Sequence, residues 1–363
     1  MKGLKDFDEK LLYFWLSASD APPAKANQLI KHFDGIYNFY DRFLGGDSEI
    51  KRYLGAGYQK MLSALDYDSL QEKLRKIQND GISVLTPADR QYPQGFLQLN
   101  DAPFMLYYKG RLELLNTKCF TIVGTRTPSL YGKKMTKIFA QELSANGLTI
   151  VSGLATGIDS FAHRFTLDIG GDTIAILGNG HNQIYPAANY ELYKEITQKG
   201  LAISEFLPDF KGTVYSYPRR NRLLAALSLG VLVVEAGEKS GTMYTVEYAL
   251  EQGRGVFALA GAADNLKIRG NLRLIRNSQC AMVYKPEHIL QEFNINFIPK
   301  EQAKTPRLDL IERKILDLLA NGELNYDKIL SSVNLPVNEL NSLLSIMEIK
   351  GLISKNGTLY SLA

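Results

Sequence analysis

Cysteine is nearly absent: only Cys119 and Cys280 occur in 363 residues, each inside an apolar stretch, KCFTIVG and QCAMVY. Two scattered thiols build neither a disulfide framework nor a zinc cluster, and they suit a reducing compartment such as the cytosol. Histidine is equally scarce. His32, His163, His181 and His288 show neither metal-ligand spacing nor a neighbouring Ser or Cys nucleophile, so no metal and no general-base chemistry are expected. The longest greasy run, residues 223–236, is interrupted by Ser228 and Gly230, and it is shorter than the about 20 residues that span a bilayer. The opening MKGLKDFDEK has no apolar signal core, so no membrane is implied. No G-x-G-x-x-G follows the first strand of the central segment and no G-x-x-x-x-G-K-[ST] occurs anywhere, which disfavours NAD and hydrolysis of nucleoside triphosphates. Surplus charge is small too: 42 Lys and Arg against 38 Asp and Glu give +4, so only the distribution of charge can identify a partner.

What is present is an ordinary soluble composition, 45% hydrophobic and 22% charged, with 30 glycines and 20 tyrosines. From Asp8 to about Asp80 apolar residues recur at threes and fours, as in EKLLYFWL and ANQLIKHF, which predicts a small helical bundle. Pro87, Pro93 and Pro103 then punctuate a connector whose FMLYY supplies one strand. From Cys119 to about Tyr284 short apolar runs alternate with amphipathic segments: CFTIVG, LTIVSG, TIAILG, LAISE, VLVVEA, VFALAG and CAMVY. That alternation requires crossover units and a parallel sheet covered on both faces. Residues 308–363 read as three helices and two short strands turning at Asn356-Gly357, a winged helix. The expected fold is α/β: an extended Rossmann-like parallel-sheet domain with an N-terminal helical, SAM-like domain and a C-terminal winged helix. The expected bounds are 1–82, 83–293 with its core at 119–284, a linker at 294–306, and 307–363.

In an open parallel sheet, ligands bind beyond the carboxyl ends of the strands. There the first strand offers Gly124, Thr125 and Arg126, the second Gly153 and Gly157, and the third Gly178, Gly180 and His181. Small residues let backbone N–H groups approach an anion. Ser240, Gly241 and Thr242 follow the fifth strand and open a helix whose free donors and positive dipole end favour phosphate. Arg220, Asn221 and Arg222 open the preceding helix, and arginine forks match phosphate oxygens. Any single such glycine is explained by a tight turn into a helix; their succession points to an anion. Further cations, Lys133, Lys134, Lys137, Lys211, Lys267, Arg269, Arg273 and Arg276, would make a track longer than one nucleotide needs. Tyr185 foremost, then Tyr131, Tyr215 and Tyr217, are candidates for stacking on exposed bases. Asp159 is assigned a capping role rather than acid catalysis.

At these residues the chain resembles the DNA-processing protein A (DprA, or Smf) family, through VGTRTPSLYG, VSGLATGIDSFAH, AILGNGHNQIYP, YPRRNRLLAALS and VVEAGEKSGTMYTVEYALEQGR in order. The resemblance implies a homodimer of Rossmann-like domains that binds single-stranded DNA irrespective of sequence and protects incoming strands during natural transformation. It also implies loading of RecA recombinase, no cofactor and no catalytic residue. By motif, Arg126 is the phosphate-gripping arginine, flanked by Gly124 and Thr125, with residues 178–185 and Arg220, Asn221 and Arg222 completing the pocket. Departures include Asn182 in place of a usual Asp, Ala260 in place of Pro, and Gln279-Cys280 in place of Gly-Ala. The segment DAPPAKANQLIKHF stands where relatives carry a glycine hairpin, so this N-terminal domain is expected to scaffold rather than bind.

Two other readings compete. Gly241, Thr242 and Glu247 are similar to the G-G-x-G-T-x-x-E loop of cytokinin-activating, LOG-like nucleoside-monophosphate phosphoribohydrolases, although Glu238-Lys239-Ser240 replaces the glycine pair. A winged-helix transcription regulator would need a basic recognition helix. Residues 336–349 instead place Val337, Leu340, Leu344 and Met347 inward and Asn338, Glu339, Asn341, Ser345 and Glu348 outward, so the wing is expected to contact protein rather than duplex DNA.

Overall fold

A computed structural model describes residues 7–297, 310–320, 322–333, 335–349 and 352–362. The chain divides into two units, 1–298 and 299–363. The expected linker lies outside the described residues from 298 onward.

Nine strands form the sheet of the first unit: β1 (Ser83–Leu85), β2 (Leu106–Gly110), β3 (Cys119–Val123), β4 (Thr149–Ser152), β5 (Thr173–Leu177), β6 (Leu201–Ser204), β7 (Gly230–Val233), β8 (Gly255–Leu259) and β9 (Ala281–Val283). Their order is β1-β2-β6-β5-β4-β3-β7-β8-β9. The seven apolar runs of the central segment supply the parallel strands, whereas β1 pairs antiparallel with β2, and β2 antiparallel with β6. The three-residue β1, Ser-Val-Leu, is too short to show a period and was not expected from the sequence.

Parallel strands with both faces covered carry apolar residues throughout, and β3, β4 and β5 are buried at every position. Alternation within a strand assigns its side chains to two layers. Cys119 and Val123 pack with Leu223, Leu224, Met243 and Val246 of helices Ser216–Leu227 and Thr242–Glu251. Phe120 and Ile122 pack on the opposite face with Phe139, Leu143 and Ala162 of helices Leu130–Ala145 and Ile158–Leu167. The polar residue Asn271, fully buried, ties the β7 and β8 ends together. Its amide donates to the carbonyls of Val233, Val234 and Leu259, and its Oδ1 accepts from Ala236 N.

Six helices between Glu9 and Asn79 form the N-terminal region. The first begins at Asp8, whose carboxylate accepts from Leu11 N at 2.7 Å. Trp15, Phe14, Phe39 and Phe43 are wholly buried there, in a core that continues into Val84 and Tyr107 of the sheet and Met105 just before β2. Ser17 Oγ meets Tyr107 Oη at 3.1 Å across that junction.

In the second unit the helices Leu310–Leu319, Tyr326–Val333 and Val337–Ile349 pack on a sheet of order β10 (Leu324–Asn325), β12 (Leu359–Leu362), β11 (Ile353–Asn356). Ile315, Ile329, Leu340, Leu344, Met347 and Tyr360 fill its core. Val337, expected inward, is 56% exposed, because it begins its helix and projects beyond the core. No helix among the described residues is long and apolar enough to cross a membrane.

Candidate functional site

Chain reversal in this sheet occurs at β3: the crossover to β4 runs one way and β7 lies on the other side. Beyond the carboxyl ends at such a switch point opens a crevice. Here it is a cleft of about 850 Å³.

Its centre is the loop after β3. Thr125 N donates to Glu235 O at 2.7 Å, and Thr125 O accepts from Ile158 N at 3.2 Å, so the loop is clamped between β7 and the next helix. Two glycines make that clamp possible. A Cβ on Gly124 would stand 2.7 Å from Ile158 Cγ1, and one on Gly157 would stand 2.3 Å from Thr125 O and 2.7 Å from Arg126 Cα. Gly157 also needs φ +82°, in the left-handed region that favours glycine. Arg126 is thereby presented on a rigid backbone with an exposed side chain that has no ion pair among the described residues.

The floor is Arg220, fully buried at the start of helix Ser216–Leu227. Its Nη1 donates to the carbonyls of Gly153 (2.8 Å) and Ile176, and its Nε to Asn221 Oδ1 (3.1 Å). Burial lowers its pKa to about 10, against the opposing charge of Asp159, so it stays cationic at neutral pH. Asp159 caps the preceding loop by accepting from Gly153 N at 3.1 Å, and burial pushes its pKa up despite Arg220. It is the one carboxylate among the lining residues, which also include the cations Arg126 and Lys211.

Tyr185 and Tyr217 face each other at 5.8 Å and 47° along one wall, with Tyr185 56% exposed. On the other side Ser240 Oγ accepts from Thr242 N at 3.2 Å at the start of helix Thr242–Glu251, and Ser240, Gly241 and Thr242 line the cleft.

The helix N-terminus that would take a pyrophosphate in a dinucleotide-binding protein is already filled. Glu235, wholly buried, accepts from Ser129 N (2.8 Å) and from Ser129 Oγ at the start of helix Leu130–Ala145. Gly132 leaves the room: a Cβ there would stand 2.4 Å from Glu235 Oε2.

The structure thus gathers Gly124, Thr125, Arg126, Tyr185, Arg220, Asn221, Ser240, Gly241 and Thr242 around one cleft, and Gly153 lines a smaller pocket that shares Arg126, Tyr185 and Arg220 with it. Gly157 supports it from behind. Other expected residues lie elsewhere. His181 is buried with both ring nitrogens bonded, to Tyr193 Oη and Tyr107 O at 2.9 Å each, and burial drops its pKa to about 4. Gly178 backs onto the Tyr217 ring and Gly180 onto the carbonyls of Leu207 and Pro208. Arg222 points away from the cleft into a buried network. Its Nη1 and Nη2 bond Glu205 at 2.8 Å each, and its Nε bonds Asp101 at 2.7 Å. Tyr131 donates to Ala260 O, outside the cleft. The loop after β6, residues 211–214, lines the rim; its Lys211 is among the cations expected from the sequence, but the loop itself was not singled out as a ligand loop. The rule that located the other loops, inspecting the residues at the carboxyl end of each strand, applies to β6 as well. Glu247, the acid of the phosphoribohydrolase reading, is exposed and does not line the cleft.

These features define a Rossmann-like protein with a cationic cleft at its switch point and a separate winged-helix unit. Residues 83–294 match the family DNA recombination-mediator protein A, and residues 299–356 match the DprA winged helix domain. The chain belongs to that family. It is similar to Protein Smf of Escherichia coli, at 38% identity over 74% of this chain and 75% of the relative. The crystal structure of DNA processing protein A from Streptococcus pneumoniae superimposes with TM-score 0.66 and 31% identity, covering 78% of this chain and 99% of that one. DNA processing protein A from Helicobacter pylori, described with a single-stranded DNA binding mode, gives TM-score 0.55 and 32% identity over 60% of this chain and 97% of that one.

Proposed function

We propose that this protein binds single-stranded DNA without regard to sequence, along the rim that carries Arg126, and acts as a recombination mediator rather than an enzyme. The observation that carries the reading is the placement of Arg126. It projects free from a loop clamped by Gly124 and Gly157, above the buried cation Arg220 and within the same cleft as Lys211. Guanidinium groups and backbone donors around an open cleft suit the repeated phosphates of a flexible strand. The cleft's tyrosines offer flat faces to whichever base follows.

Family membership supports the wider role: a cytoplasmic homodimer, paired through the Rossmann-like unit, that protects incoming strands during transformation and passes them to RecA. The absence of a carboxylate in the cleft other than buried Asp159, among the described residues, favours binding over glycosidic cleavage. In the winged helix, the exposed face of Val337–Ile349 carries Asn338, Glu339, Asn341, Ser345 and Glu348, which favours contact with protein.

A titration with single- and double-stranded oligonucleotides of one sequence tests the reading. Preference for the single strand by about tenfold or more is expected; equal affinity overturns it. Release of free base from nucleoside monophosphates, assayed in parallel, would establish the enzymatic alternative.

A further inference from the structure

Arg126 lines the cleft, and the surface that continues from its loop is neither neutral nor smooth. Residues 126–141 contain Arg126, Lys133, Lys134 and Lys137 and no Asp or Glu. All four cations are exposed, and none is in an ion pair among the described residues. In the adjoining residues 153–165 the one acid is Asp159, buried beside Arg220, while Arg164 is occupied by Glu195 at 2.7 Å. A protein with a surplus of only four positive charges has therefore placed four unpaired ones within a single short stretch of chain.

Aromatic surface accompanies them. Phe161 lies one turn beyond Gly157, with its N–H donating to Gly157 O at 3.0 Å, and so sits just past the Arg126 loop. It is half-buried, and its ring runs nearly parallel to Phe165, at 5.7 Å and 13°. Lys133 Nζ rests 5.1 Å from its centroid. A solvated cation on an exposed ring is a weaker contact than a nucleobase stacked on one. An ammonium that leaves the ring for a phosphate would therefore uncover a face that a base fills more favourably.

We propose that a single strand held in the cleft continues past Arg126 over the groove between helices Leu130–Ala145 and Ile158–Leu167, one base stacking on Phe161 while phosphates pair with Lys133 and Lys137. This extension rests on the single-strand reading of the cleft and lengthens the site beyond it. Lys133 and Lys137, one turn apart on the same helix face, line the groove side by side.

The test is affinity as a function of oligonucleotide length, from four to twenty thymidines, by fluorescence anisotropy. Phe161→Ala and the double variant Lys133→Gln/Lys137→Gln are expected to match the wild type on the shortest strands that bind and to lose about tenfold on the longest. The double variant should also lower the salt slope by about 1.4 on long strands, as two fewer phosphates are neutralised. Because the only tryptophan is the buried Trp15, Phe161→Trp adds a new emission that long strands should quench. Wild-type affinity and slope in these variants at every length, with no quenching, overturn the extension alone. A wild-type protein that binds no strand of any length overturns the underlying reading as well.

Discussion

Arg220 and Asp159 both lie against Gly153, with no direct ion pair between them among the described residues. Arg220 Nη2 and Asp159 Oδ2 lie 2.5 and 2.7 Å from the point where a side chain on that glycine would begin. Both groups are fully withdrawn from solvent, so each is the other's main compensation for burial.

Removing one member should therefore cost more than a surface mutation. Asp159→Asn keeps the shape but removes the nearby charge that offsets the burial of Arg220, and a loss of about 1–3 kcal/mol is expected. Guanidinium-chloride unfolding measures it; a change within about 0.5 kcal/mol would show the two groups to be uncoupled.

Gly157→Ala strains a left-handed backbone and drives a Cβ to 2.3 Å from Thr125 O, displacing the loop that carries Arg126. Gly170 has φ +71° and nothing within 4 Å of its virtual Cβ, so Gly170→Ala meets the backbone strain alone. Both variants should lose about 1 kcal/mol or more, but only Gly157→Ala should also bind single strands more weakly. Equal affinities for the two would mean that the loop does not position Arg126.

Arg126→Ala should reduce affinity for oligonucleotides of every sequence alike and lower the salt slope by about 0.7, since phosphate contacts carry no sequence information. Anisotropy titrations over a range of salt concentrations with homopolymers of each base check this. A loss confined to one base would indicate base readout instead.

Acid should weaken the fold. Burial lowers the pKa of His163 to about 3 and that of His181 to about 4, against 6.5 for a free ring. Between those values and 6.5 the unfolded chain binds protons that the native one refuses, so stability is full above about pH 6.5 and falls as pH drops, by up to about 1.4 kcal/mol per unit for each ring. The upward shift of Asp159 acts with the opposite sign above its ordinary 3.8. Urea midpoints should fall from about pH 7 to about pH 5, and His181→Gln should flatten the slope by about one proton. A flat wild-type profile would contradict the burial of both rings.

Deleting residues 308–363 should leave single-strand affinity nearly unchanged, since the cleft lies wholly in the first unit. A large loss would assign the winged helix a part in DNA binding.

The architecture was legible where chemistry repeats. Seven apolar runs announce seven parallel strands because a strand covered on both faces must be apolar throughout. The loops after them follow from the geometry of open sheets. Individual side chains were less legible, and the run Arg219, Arg220, Arg222 shows why. Successive helical positions turn by about 100°, so Arg220 diverges from Arg219 and Arg222, which lie three apart and share Glu205. Arg219 reaches Glu205 and lies over Phe206, Arg220 forms the cleft floor, and Arg222 enters the buried Asp101 and Glu205 network. Nothing in the spacing tells which one faces the cleft. His181 obeys the same logic: its loop is at the right edge, but Tyr193 and Tyr107 claim the ring. Asn271 and Glu235 are polar residues whose work is internal, which only their neighbours reveal.

The apolar interior running from Trp15 and Phe43 to Met105 and Tyr107 has a consequence for cooperativity. Because neither the helices nor the sheet finishes its own interior without the other, the first unit should melt in one transition. A gene fragment beginning at residue 83 would expose Tyr107, 0% accessible in the intact fold, and yield an aggregating product. Whatever surface the N-terminal helices present to other molecules, their first contribution is to keep the edge of the sheet dry.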